Sequence, residues 1–214
     1  MFTALLIAVL IIAGATTVVG GGLVWQHQRR RALERAGSEP KLLGSGSGGS
    51  RVIERGPRQM RPGDIIQHDG RDWLVEGVVH YDEDGHRWLA GRLVDVKETR
   101  WLVAGMDRAG QGALLLLEPD PSIEVGSYPP EAIAAGERRY LLERRGTATV
   151  RIEGDAGGLP AAPPGGPPTV LRCRWWRYAA AGDARILVEQ WGQDFRTLRG
   201  AELGAGAVEL MPGS

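Results

Sequence analysis

From Phe2 to Trp25 no side chain carries a charge, and the run leads into Gln26-His27-Gln28-Arg29-Arg30-Arg31. A hydrocarbon core of about 30 Å needs about 20 apolar residues of helix to cross it. The pattern predicts a transmembrane helix over residues 1–28. Beyond residue 62 apolar residues recur at every second position, the period of a strand with one buried and one wet face. In Arg71–Tyr81, Trp73, Val75, Val79 and Tyr81 share a face opposite Asp72, Glu76 and His80. In Thr147–Glu153, Ala148, Val150 and Ile152 alternate with Thr147, Thr149, Arg151 and Glu153. Asp69-Gly70 predicts a tight hairpin turn. Asp82–Gly85 predicts the next turn and Val96–Glu98 the one after. Within 129–136, Pro-Pro-Glu-Ala-Ile-Ala-Ala-Gly has room for one helical turn.

Two stretches echo each other. Arg87–Leu93, a turn and Arg100–Ala104 form a Trp-led strand followed by an aliphatic one. Arg174–Ala179, the turn at Gly182-Asp183 and Arg185–Glu189 repeat that order. The expected fold is all-β. About ten short antiparallel strands form two related meanders, packed as a sandwich or as paired barrel-like modules. Residues 29–61 are a basic juxtamembrane segment and a flexible Gly/Ser linker. Residues 62–118 are the first β module, 119–136 a connector and 137–214 the second module. Within the second, the Pro/Gly-rich stretch 157–168 cannot pair in a sheet and reads as a surface loop.

Charge and cysteine use place these parts. The 26 basic and 26 acidic residues balance, whereas a nucleic-acid binder would show a basic excess. No nucleic-acid partner is expected. Arg29, Arg30 and Arg31 follow the apolar run, and such residues stay on the cytoplasmic side. The expected location is the cell membrane, single-pass, with the N-terminus outside and the β domain in the cytoplasm. Cys173 is the only cysteine, which suits a reducing compartment. Trp25 fits the aromatic belt at the membrane interface, and the arginines beside it fit the lipid headgroups.

Chemistry-bearing patterns are sparse. His80 and His86 flank the Asp82–Gly85 turn, but no Cys or His pair has zinc spacing, and a solvated turn explains these residues better than a metal. Cys173 alternates with Leu171 and Trp175, which points it into the core. No phosphate-loop or nucleophile-elbow motif is present. No cofactor is expected. An enzyme would require Asp64, Glu76, His80 or Glu189 to converge in one cleft. Trp175 and Trp176 are adjacent, so in a strand they face opposite sides. With Arg174, Arg177 and Tyr178 beside them, they form the candidate partner-binding group.

The chain resembles an uncharacterised bacterial family, domain of unknown function number 4178. The matching residues are Pro62–Ile66, Trp73–Gly77, His86–Trp88, Arg100–Leu102, Val188–Trp191 and Val208–Pro212. The family has no established activity, and its members often occur beside genes for membrane stress or small membrane proteins. The resemblance implies a β-rich domain in a membrane context. The expected function is a non-catalytic, membrane-tethered interaction domain accessory to a membrane-protein or envelope-stress system. Its expected partners are the bilayer and a membrane-associated protein. A sensor of a small ligand or lipid headgroup is the alternative, and an enzyme of unknown type the third reading.

Overall fold

The computed structural model describes residues 55–96, 98–108, 114–159, 170–204 and 206–213. The expected transmembrane helix with Trp25, the arginines Arg29, Arg30 and Arg31, the Gly/Ser linker and most of the Pro/Gly-rich loop lie outside them. Among the described residues no helix is long and apolar enough to cross a membrane.

The described chain is all-β. A single 3-10 turn, Pro57–Gln59, precedes eleven strands. The first five are β1 (Ile65–His68), β2 (Arg71–Glu83), β3 (His86–Asp95), β4 (Glu98–Ala104) and β5 (Leu114–Pro119). The next five are β6 (Ala132–Ala135), β7 (Arg138–Gly154), β8 (Leu171–Ala179), β9 (Ala184–Trp191) and β10 (Asp194–Leu203), and β11 (Glu209–Met211) is last. Their order is β11-β1-β2-β3-β4-β5-β10-β9-β8-β7-β6, with β2 also paired to β7. That extra pairing closes an eight-stranded antiparallel barrel from β2, β3, β4, β5, β10, β9, β8 and β7. The expected sandwich or pair of modules is therefore corrected to one closed barrel with short strands at its flanks.

Local chemistry sets the hairpins. Asp69 and Gly70 both have positive φ, as do Asp84 and Gly85. This is the turn whose twist matches flanking strands, and Asp-Gly tolerates it. The stretch expected to hold a helical turn instead contains β6, whose Ala132–Ala135 pair with Arg138–Leu141 of β7.

Each half follows the same plan, a short strand, a long bulged strand and three more. The bulge in β2 lies between Val75 and Gly77, and that in β7 between Leu142 and Arg144. A bulge adds one residue to one strand and so swaps the faces beyond it. Trp73 and Val75 consequently pack in an outer layer with Leu93 and Leu102. Val79 and Tyr81 point into the barrel with Trp88, Trp101, Trp175 and Trp191. The shared face expected for all four β2 residues is split at this bulge. A second outer layer joins Ile133, Tyr140, Trp176, Tyr178 and Ile186.

The two halves meet at two antiparallel seams, β2 with β7 and β5 with β10. Near its start the domain is clasped to its end. Buried Asp64 accepts hydrogen bonds from Arg55 Nη2, Arg61 N and Gly213 N, each at 2.8 Å.

The β2–β7 seam depends on Gly77. A Cβ there would lie 2.3 Å from the backbone oxygen of Asp155, which cannot swing aside. At Gly91 an added Cβ meets the Met60 sulfur, the mobile part of a flexible side chain. Gly77→Ala is expected to cost at least the ~1–3 kcal/mol of an overpacked core, and Gly91→Ala clearly less. Urea melts of the two variants check the order.

Candidate functional site

The five residues expected to form one partner-binding group fall into different environments. Trp175 points into the barrel, edge-on to Trp88 with ring centroids 5.7 Å apart. Trp176 faces outward yet is only 2% exposed. It is covered by Tyr128 at 5.8 Å and Phe195 at 6.4 Å. Neither indole N–H has a hydrogen-bond partner among the described residues. Tyr178 is fully buried and donates to the Pro130 carbonyl at 2.7 Å. Buried Arg177 pairs with Asp107 at 2.7 Å and Glu143 at 3.0 Å. Only Arg174 is exposed. Its guanidinium lies 5.1 Å from the Trp176 ring and 5.6 Å from that of Tyr128.

The barrel interior holds a polar network. Glu189 is 1% exposed. It accepts hydrogen bonds from Tyr81 Oη at 2.6 Å and Arg196 Nε at 2.8 Å. Arg196 Nη2 and, at 3.3 Å, Trp191 Nε1 also donate to it. The Arg196 guanidinium sits 3.9 Å from the Trp101 ring centroid. Burial opposes its charge, and Glu189 outweighs that, so its pKa rises. Burial, helped by the Glu189 charge, pushes the Tyr81 phenol well above its ordinary value and keeps it a donor. Burial likewise pushes the Cys173 thiol up. The network closes an ion pair inside an apolar barrel, where a charge must be paired. The strand period gives Glu189 away, because it shares its face with Leu187 and Trp191. No comparable signal in the sequence links it to Arg196.

The groups considered for catalysis stand in separate networks. Asp64 belongs to the terminal clasp, Glu76 pairs with Arg92, His80 lies 3.5 Å from Glu153, and Glu189 sits inside the barrel. His80 and His86 do not meet. His86 packs against Trp88 at 5.5 Å and contacts the Met106 carbonyl at 3.1 Å. Among the described residues no cluster of His, Cys, Asp and Glu is arranged to hold a metal.

Among the depressions of the described residues, two lie along residues 147–151 of β7. One, of about 450 Å³, overlies the β2–β7 seam. Arg58, His80, Asp82, Arg87, Thr149 and Arg151 line it, and Tyr81, Trp88 and Leu89 are among the residues that supply apolar surface. The rim is ordered by Arg87–Asp82 and Arg151–Glu153 pairs, both at 2.8 Å. The other, of about 430 Å³, lies over β7, β8 and β9 and is lined by Thr147, Arg172, Arg174 and Gln190.

Glu189→Leu strands Arg196 as an unpaired buried charge and is expected to cost about 3–5 kcal/mol. Glu189→Leu with Arg196→Met should regain most of that in a denaturant titration. Alkali tests the phenols. Burial pushes the Tyr178 phenol up to about 12 and also raises that of Tyr81. A raised folded pKa gives stability that is complete below the unfolded value near 10 and lost as pH rises through the folded one. The melting temperature should therefore fall from pH 10 upward. A thiol reagent should leave Cys173 untouched in the folded protein and modify it in urea.

The chain is 28% identical over 159 residues to uncharacterised proteins of Mycobacterium bovis and Mycobacterium tuberculosis. The match covers 73% of this chain and 74% of each relative. No solved structure matches it. The family described as domain of unknown function DUF4178 matches residues 61–205, from the segment before β1 to the end of β10. The match spans all eight barrel strands, and the chain belongs to the DUF4178 family.

Proposed function

We propose that this chain is a non-catalytic binding module tethered to the cell membrane. Its β domain lies on the cytoplasmic side and holds a membrane-associated protein partner in the cleft over the β2–β7 seam. The setting is an accessory role to a membrane-protein or envelope-stress system. The apolar run 2–25 and Arg29, Arg30 and Arg31 support the membrane placement.

The single observation that supports binding is the seam cleft. Its volume of about 450 Å³ lies within the ordinary range for ligand sites, roughly 300–1,000 Å³. Apolar surface with a charged, pre-ordered rim gives both affinity and orientation. Trp101, Trp175 and Trp191 pack into the barrel core, whereas Trp88 and Tyr81 reach the cleft beside its arginines, His80 and Thr149.

A photocrosslinking side chain at Thr149, in the full chain in its native membrane, should capture one protein. Arg87→Glu should abolish the adduct. The same probe at Glu118, exposed at the end of a largely buried β5, serves as the control. Adducts equal at both positions would remove the cleft as the binding site. Full release of the chain from membranes by alkaline carbonate would remove the tether.

A further inference from the structure

Arg172 and Arg174 lie two residues apart on β8, so both side chains leave the barrel on the same side. Both are exposed. Arg172 has no hydrogen bond or ion pair among the described residues. Arg174 is met by no carboxylate there. It is held by Gln190 at 3.3 Å and by its stacking on Trp176 and Tyr128. Thr147 and Gln190 are its cross-strand neighbours on β7 and β9. Together these groups line the depression of about 430 Å³. Carboxylates on the flanks are engaged elsewhere, Glu131 with Arg145 and Glu153 with Arg151. Asp194 stands at the β9–β10 turn.

This positive face does not follow from overall charge. Of the 26 basic residues six precede Arg55, and of the 26 acidic residues only three do. The folded part therefore carries a slight acidic excess, yet two exposed arginines on one face lack a counter-charge. Guanidinium forks beside a hydroxyl and an amide donor suit the oxygens of a phosphate group. Stacking pre-orients Arg174, which lowers the entropy lost on binding. Tyr128, 50% exposed, lies beside it between Arg174 and Arg145. Tyrosine is at home at headgroup depth.

We propose that this cradle binds the phosphate of anionic lipid headgroups and docks the barrel on the membrane through its β7–β8–β9 face. The lipid as source rests on the membrane placement proposed above, whereas the phosphate chemistry of the cradle does not.

The test uses the full chain in phosphatidylcholine vesicles carrying a trace of dansyl lipid, with and without phosphatidylglycerol. Energy transfer from tryptophan to dansyl reports docking. Transfer should rise with phosphatidylglycerol. Arg172→Gln should lower the docked-to-undocked ratio about fivefold, and Arg172→Gln with Arg174→Gln about 30-fold. Arg172→Lys should restore most of it. The Arg172 side chain makes no hydrogen bond or ion pair among the described residues, so its single variant keeps the test decisive if the double variant fails to fold. Equal transfer in both vesicles overturns the proposal, and so does a rise that neither Gln variant reduces. Inorganic phosphate at constant ionic strength separates the sources. If it erases the rise where chloride does not, the cradle takes free phosphate and the lipid assignment falls. If both salts act alike, the headgroup assignment stands. Retention of the chain on neutral vesicles after an alkaline wash reports the tether by itself, so failure of the tether and failure of the cradle give different results.

Discussion

Two strands of this domain must each belong to two layers, and the barrel exists because they do. The first part of β2 pairs with β1 and the second with β7, while the first part of β7 pairs with β6. A straight strand would keep one set of side chains on one face throughout. The bulge in each strand changes the face once, at the point where the strand passes from flank to barrel. Both bulges place a glutamate against an arginine of the next strand, Glu76 with Arg92 and Glu143 with Arg177. These paired anchors define the equivalence of the two halves. They also shift the sequence echo, because matching Arg92 to Arg177 sets Trp88 against Cys173 rather than Trp175.

What the sequence made legible was local. Period two marked the strands, and Asp-Gly marked two tight turns whose φ values agree. A bulge, by contrast, is a phase change of a single residue, and Val75-Glu76-Gly77 carries no composition that announces it. The cover over Trp176 was also hidden. Adjacency told that Trp175 and Trp176 part company, but Tyr128 and Phe195 arrive from distant segments of chain. Glu189 showed its inward direction through Leu187 and Trp191. Its partner Arg196 became visible only when β9 and β10 paired in register. Closure itself rests on β2 meeting β7 and β5 meeting β10, and pairings so far apart in sequence leave no local trace.

The interior explains how a barrel of this size avoids an open lumen. Trp88 and Trp175 meet edge to face near its middle, and Trp101 lies beneath the Arg196 guanidinium. Large flat rings fill the space, and the ion pair fills what remains while fixing the rings around it. Replacing such a pair with apolar groups is often tolerated energetically. Its contribution is better understood as orientation, since four donors on one carboxylate allow few alternative packings.

The clasp at Asp64 has a mechanical consequence. Arg55 and Gly213 are bound to the same carboxylate oxygen at 2.8 Å, so both ends of the folded unit are fastened at one point. Tension applied through the N-terminal segment would reach this fastening before any strand of the barrel. The ladder beside it, β1 against β11, would then be loaded from one corner. A domain built this way yields first at its ends, by release of β11, and the closed barrel keeps its shape while the fastening opens.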